Sequence, residues 1–174
     1  MKQQSKTIQK KAFIGILCSV ILIFLDQFTK YLAVQHLKDQ MPVVLWKNVL
    51  ELSYLENRGA AFGIFQGKQW PLIIFTVIVL ILIIYFYLMR IPSEKHFGLL
   101  NRIAILFFAG AIGNFIDRVT QRYVVDFFYF RLINFPVFNV ADIYVTVAAV
   151  LLILCLLFYK EEDFERILPT KKKS

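Results

Sequence analysis

The residues of this chain that could do chemistry gather in one stretch, residues 110–142, which reads GAIGNFIDRVTQRYVVDFFYFRLINFPVFNVAD. It lies between two long apolar segments, yet it holds three aspartates, three asparagines and three arginines. Charge in or beside a hydrocarbon layer is costly unless it is paired or put to use. Asp126 stands in Val124-Val125-Asp126-Phe127-Phe128, an apolar surround with no adjacent cation. Such a carboxyl should hold its proton more tightly than usual. If Asp142 approaches it, repulsion between like charges keeps one of the two protonated. The ionised member can then take a proton from water while the neutral one polarises a scissile carbonyl. That is the logic of an aspartic peptidase, and such a pair titrates as a unit. No nucleophile with a partnering base competes, because His36 and His96 lie outside the stretch and Cys18 and Cys155 lie inside apolar segments. The same scatter of Cys and His predicts no disulfide, no metal site and no cofactor.

The elements that must position these residues read as membrane helices. Of 174 residues, 59% are hydrophobic, and the mean hydropathy of +0.63 is far above that of a soluble domain. The length suits one integral membrane domain over residues 1–174. Apolar runs predict helices at about 12–34, 70–89, 99–119 and 138–159, each long enough to cross ~30 Å of hydrocarbon. Residues 35–69 form a loop of mixed polarity, and residues 160–174 a charged tail. The first run is too long for a signal peptide and no small-x-small cleavage site follows it. The net charge of +8 could suggest nucleic acid, but the basic residues collect at the chain ends and in short loops. They are better explained as orientation signals, which predicts no nucleic-acid partner. Both termini and the 90–96 loop are then cytoplasmic, with Arg118, Arg122 and Arg131 as exceptions on the far side. The expected fold is an all-α membrane protein of four transmembrane helices with a small β-containing extracytoplasmic loop region.

On this topology the polar residues converge on one layer, at the outer ends of the helices. Asp26 and Lys30 share a face of the first helix at i and i+4. They read either as an interfacial ion pair with a snorkelling lysine or as part of the site's polar network. Asn114, Asp117 and Arg118 share a face of the third helix. Asp117–Arg118 is more readily a structural ion-pair element than a catalytic one. Asn139 suits the cap of the fourth helix, with Asp142 in its first turn. Leu50, Leu52 and Tyr54 alternate with Glu51 and Ser53 as in a one-sided strand. The small residues of 57–63, Asn57-Arg58-Gly59-Ala60-Ala61-Phe62-Gly63, make a tight turn. Two other classes fit part of this pattern. A proton-coupled transporter or channel subunit also buries Asp and Arg, but it needs polar residues at several depths, and the second helix has almost none. An assembly protein would use the polar layer for helix packing alone.

Five blocks carry a resemblance: Asp26-Gln27-Phe28-Thr29-Lys30, Asn57 to Phe62, Gly113 to Arg118, Val124 to Phe127 and Phe138 to Asp142. In order, on four predicted helices, they resemble lipoprotein signal peptidase, also called signal peptidase II or prolipoprotein signal peptidase. The resemblance implies a bacterial inner-membrane aspartic endopeptidase whose site lies near the outer face. Its substrates are diacylglyceryl-modified prolipoproteins, cut on the N-terminal side of the lipid-modified cysteine. By match, Asp126 and Asp142 are the catalytic dyad. Asn57, Asn114, Arg118 and Asn139 match residues that line the substrate and inhibitor site, with Asp26, Lys30 and Asp117 as a supporting network. Membrane lipid and globomycin-type inhibitors are the other implied partners. One departure is Ala109-Gly110 where the family often has paired glycines; alanine is small enough to keep the helix packing close.

Overall fold

The structure, a computed structural model, describes residues 2–59 and 66–168, with side chains from residue 6 onward. The turn expected over 57–63 therefore lies partly outside the described residues, as do the three lysines at 171–173. Four helices are long and apolar enough to cross a membrane: α1 (Lys2–Leu37), α2 (Gln69–Tyr85), α3 (Gly98–Thr120) and α4 (Val140–Phe158). At 1.5 Å per residue, the 36 residues of α1 reach about 54 Å, well beyond ~30 Å of hydrocarbon. Pro71 sits in the first turn of α2, where a missing N–H costs nothing. The end of α2 widens into a π-helical turn, Phe86–Arg90, and stops before Pro92.

Helix α3 is the hub, packed against α1, α2 and α4. Small residues allow the close approach. A Cβ on Gly110 would stand 2.6 Å from the Ala141 carbonyl oxygen, and one on Gly113 would stand 2.5 Å from Asp26 Oδ2. Ala109 is fully buried, so alanine is accommodated where a glycine was the commoner expectation.

Between the helices the chain makes one antiparallel sheet of three strands, β1 (Val43–Trp46), β2 (Leu50–Asn57) and β3 (Val124–Phe130), in that spatial order. The 50–54 alternation is indeed a strand, but not a one-sided one. Glu51 is the buried residue, paired with Arg131 at 2.6 Å, while Leu50 and Leu52 are only half-buried. Strands β1 and β3 were not foreseen. Phe128 and Phe138 form an isolated antiparallel bridge that draws the start of α4 alongside β3. Helix α1 runs toward the sheet and α4 away from it, so the described chain ends both lie at the opposite end of the bundle.

Part of the charged tail is helical. Glu161–Ile167 forms a fifth helix, α5, folded back under the bundle. Ile167 is buried with Phe97, Leu100 and Cys155, Arg90 Nε donates to its carbonyl at 2.6 Å, and Arg166 pairs with Glu94. Apolar Phe164 and Ile167, three apart, give the segment a face to bury.

Candidate active site

Asp126 sits near the middle of β3 and is 1% exposed. Strand pairing sets Leu55 opposite it and Asn57 two residues further along β2. From there Asn57 Nδ2 donates to Asp126 Oδ2 at 2.9 Å. The Phe128–Phe138 bridge brings Asn139 to the other side, where its Nδ2 donates to Asp126 Oδ1 at 2.6 Å. Burial, and next the charge of Asp142, push the Asp126 carboxyl up to about 7 against the pull of these two amides.

Asn139 and Asp142 form a reciprocal cap on α4. Asn139 Oδ1 accepts from the Asp142 N–H at 3.0 Å, and Asp142 Oδ2 accepts from the Asn139 N–H at 3.1 Å. Capping and a place in the site are therefore not alternatives. The second oxygen, Asp142 Oδ1, remains for the site and accepts from Asn114 Nδ2 at 2.8 Å.

Behind the two carboxylates lies a buried frame. Lys30 Nζ is 2.9 Å from Asp26 Oδ2 and 3.1 Å from Asp117 Oδ2, and it donates to Asn114 Oδ1 at 2.9 Å. The other oxygen of Asp26 accepts from the Ala141 N–H of α4 at 2.8 Å. Asp117 Oδ2 also accepts from the Val125 N–H, next to Asp126, at 3.1 Å. The Asp26–Lys30 pair is thus part of the polar network, too deeply buried for a snorkelling interfacial pair. Asp117 pairs with Lys30 and not with Arg118, because neighbours on a helix point about 100° apart. Gln27 was missed by sequence reasoning. Its Nε2 lies 3.1 Å from Asp26 Oδ2, the Gly113 carbonyl and Asp117 Oδ1, tying α1 to α3. Its one signal was its place between Phe28 and Asp26, where an amide in an apolar run needs partners.

In front of the carboxylates opens a cavity of about 810 Å³. Asn57, Asn114, Arg118, Asp126 and Asp142 line it, with an apolar wall from Phe135 to Phe138 and a floor at Ile143, Thr146 and Val147. Arg118 reaches the Gly59 carbonyl at 3.5 Å, while its buried Nε has no hydrogen-bond partner among the described residues. Asn139 does not line the cavity, contrary to expectation; it is fully buried behind the carboxylates and holds both. The sequence-predicted residues all converge, five on the cavity and four behind it. The arrangement sets two carboxylic acids, unequally surrounded, at the wall of a cavity large enough for an extended peptide segment.

A family model described as signal peptidase (SPase) II matches residues 18–158. The lipoprotein signal peptidases of Streptococcus pyogenes serotype M5 (strain Manfredo) and serotype M18 (strain MGAS8232) are each 38% identical over 152 residues, covering 86% of this chain and 95% of theirs. Two solved structures share the fold. A bacterial membrane enzyme determined by the in meso method at 2.3 Å resolution matches with a TM-score of 0.75 and 33% identity, covering 92% of this chain and 94% of that one. A second, determined at 1.9 Å, gives 0.72 and 35%, covering 84% of this chain and 94% of that one.

Proposed function

The chain belongs to the signal peptidase II family, a family of peptidases that remove signal peptides from prolipoproteins, and we propose that Asp126 and Asp142 are the groups with which it does so. The observation that carries this is the pair itself: two carboxylates on one cavity wall, Asp126 buried and Asp142 half-buried, both held by Asn139, with the Asp126 carboxyl pushed up to about 7. The ionised carboxylate takes a proton from water as the water oxygen bonds to the scissile carbonyl carbon. The protonated carboxyl gives its proton to the carbonyl oxygen, which yields a tetrahedral diol. The C–N bond then breaks, its nitrogen receiving the proton held by the first carboxyl, and a diol hydroxyl returns a proton to the second. No other participant is required.

The substrate is a diacylglyceryl-modified prolipoprotein, cut before the lipid-bearing cysteine. The cavity supports this by its mixed lining, with polar groups beside the carboxylates and apolar Ile143 and Val147 leading along α4 into the membrane span. Asn57, Asn114 and Arg118 supply the N–H donors for a peptide backbone, and a globomycin-type cyclic peptide would compete for them. The protein works as a multi-pass protein of the bacterial cytoplasmic membrane. Lys6, Lys10, Lys11, Arg90 and Lys95 stand at the bundle end away from the cavity, which favours a cytoplasmic base and a site at the outer face.

The test is cleavage of a diacylglyceryl-modified prolipoprotein by the purified protein, beside Asp126→Asn and Asp142→Asn. Both variants should lose at least about 10³-fold in kcat. Wild-type cleavage by either would remove that residue from the mechanism.

A further inference from the structure

Resting on this peptidase assignment, we propose that Lys30 is a positioning residue of the reaction. Acting through Asn114, it makes Asp142 the anionic, water-activating member of the pair and leaves Asp126 to carry the proton.

The nearest contacts do not distinguish the two acids. Each carboxylate accepts one amide N–H on each oxygen: Asp126 from Asn57 and Asn139, Asp142 from Asn114 and the Asn139 backbone. The difference lies one step behind. Among the described residues, the Asn57 amide oxygen faces the Gly59 N–H, at 3.0 Å, so the described chain of donors leading to Asp126 is neutral. The Asn114 amide oxygen takes the Lys30 ammonium at 2.9 Å and Asn139 Nδ2 at 3.0 Å. Two donors on that oxygen permit only one orientation of the amide, so its N–H must point at Asp142. An amide polarised by a cation at its oxygen is a stronger donor at its nitrogen. Asp142 gains further from its place in the first turn of α4, at the positive end of the helix dipole. Asp126 lies in mid-strand and has no such end beside it.

Lys30 is more than a counter-ion. An ammonium has three N–H groups, and here the acceptors are Asp26, Asp117 and Asn114. Charge pairing accounts for the first two; the third bond leads to the reacting pair. The ionisable groups around it are Asp26 on α1, Asp117 and Arg118 on α3, Asp126 on β3, and Asp142 and Tyr144 on α4, the last with its hydroxyl on the Leu22 carbonyl.

Removing Lys30 alone would leave Asp26 and Asp117 facing each other unpaired, so the charge-balanced variant Lys30→Met/Asp117→Asn is the one to make. Its pH–rate profile for cleavage of a diacylglyceryl-modified prolipoprotein is compared with wild type and with Asn114→Ala, alongside thermal unfolding in detergent. The acid limb of kcat should move up by about one pH unit in both variants, with KM changed less than about twofold in the balanced variant, whose substitutions do not line the cavity. Adding Asn114→Ala to the balanced variant should move it little further, because both break one path. An acid limb at its wild-type position in a folded balanced variant reduces Lys30 to a structural residue. Movement of the alkaline limb alone reverses the two roles and overturns the proposal. If the balanced variant fails to fold, Asn114→Ala decides in the same way. A wild-type protein that never cleaves refutes the peptidase assignment itself, a failure distinct from either of these.

Discussion

Asn139 donates its side-chain N–H to Asp126 Oδ1 at 2.6 Å and uses its side-chain oxygen to cap α4 through the Asp142 N–H at 3.0 Å. One fully buried amide therefore sets the spacing of the two acids and starts the helix that carries one of them. Serine caps helices about as well as asparagine but is too short to reach Asp126. Asn139→Ser should keep the fold, with a melting temperature within several degrees of wild type. Its kcat should drop by about 10²-fold as Asp126 loses its anchor. Asn139→Ala should lose both the cap, worth about 1 kcal/mol, and the anchor. Unfolding and cleavage assays on the two variants separate the roles; equal loss of stability in both would mean the cap is not what the serine preserves.

The Asp126 carboxyl gives a stability signature independent of substrate. Burial and Asp142 raise it from 3.8 to about 7. A carboxyl raised on folding favours the folded state below its unfolded value, and that advantage is lost as pH rises through the folded value. The window is therefore about pH 4 to 7. Asp126→Asn cannot ionise, so its melting temperature relative to wild type should rise between pH 4 and pH 8. A difference that is flat across this range would show that Asp126 is not raised.

The four spanning helices were legible because a membrane span needs an apolar run of about twenty residues, and such runs survive without any knowledge of packing. The carboxylates of the candidate site stood out because charge in that setting needs a reason. Strand β3 was not legible, since Val124–Phe130 is apolar or aromatic on both faces of the strand at every position but Asp126 and shows no alternation. Nor was the reach of Lys30 to Asn114, which depends on how closely α1 meets α3 at Gly113 and leaves no local pattern in the chain. Asn139 was placed at the cavity by its match to site-lining residues of the resembled family; the bridge between Phe128 and Phe138 sets it behind the carboxylates.

Gly113 is where that closeness is concentrated. A Cβ there would lie 2.5 Å from Asp26 Oδ2 and 3.2 Å from the Ala141 Cβ. Asp26 cannot yield freely, since it holds the Ala141 N–H and Lys30. Gly113→Ala should therefore destabilise the protein by about 1–3 kcal/mol and lower kcat by disturbing the frame behind Asp142. Thermal unfolding with a parallel cleavage assay tests both halves. A variant as stable and active as wild type would show that α1 and α3 can separate without consequence.

Helix α5 offers the converse case, stability without catalysis. It packs at the bundle end remote from Asp126 and Asp142, with Ile167 against Phe97 and Cys155. Arg166 contributes an exposed ion pair to Glu94 and lies over the Phe97 ring, 4.9 Å from its centre. Exposed pairs contribute little because water screens them and long side chains must be ordered. Ile167→Ala removes buried apolar volume and should cost about 2–4 kcal/mol. Arg166→Ala should cost less, through the lost ring contact more than the lost charge, and that cost should barely change with added salt. Neither substitution should alter kcat in the folded enzyme, because among the described residues no hydrogen bond of the frame around Asp126 and Asp142 reaches α5. Unfolding at low and high salt, with kcat measured below the transition, checks the three expectations together. A fall in kcat without unfolding would mean that the base of the bundle is coupled to the site through α3.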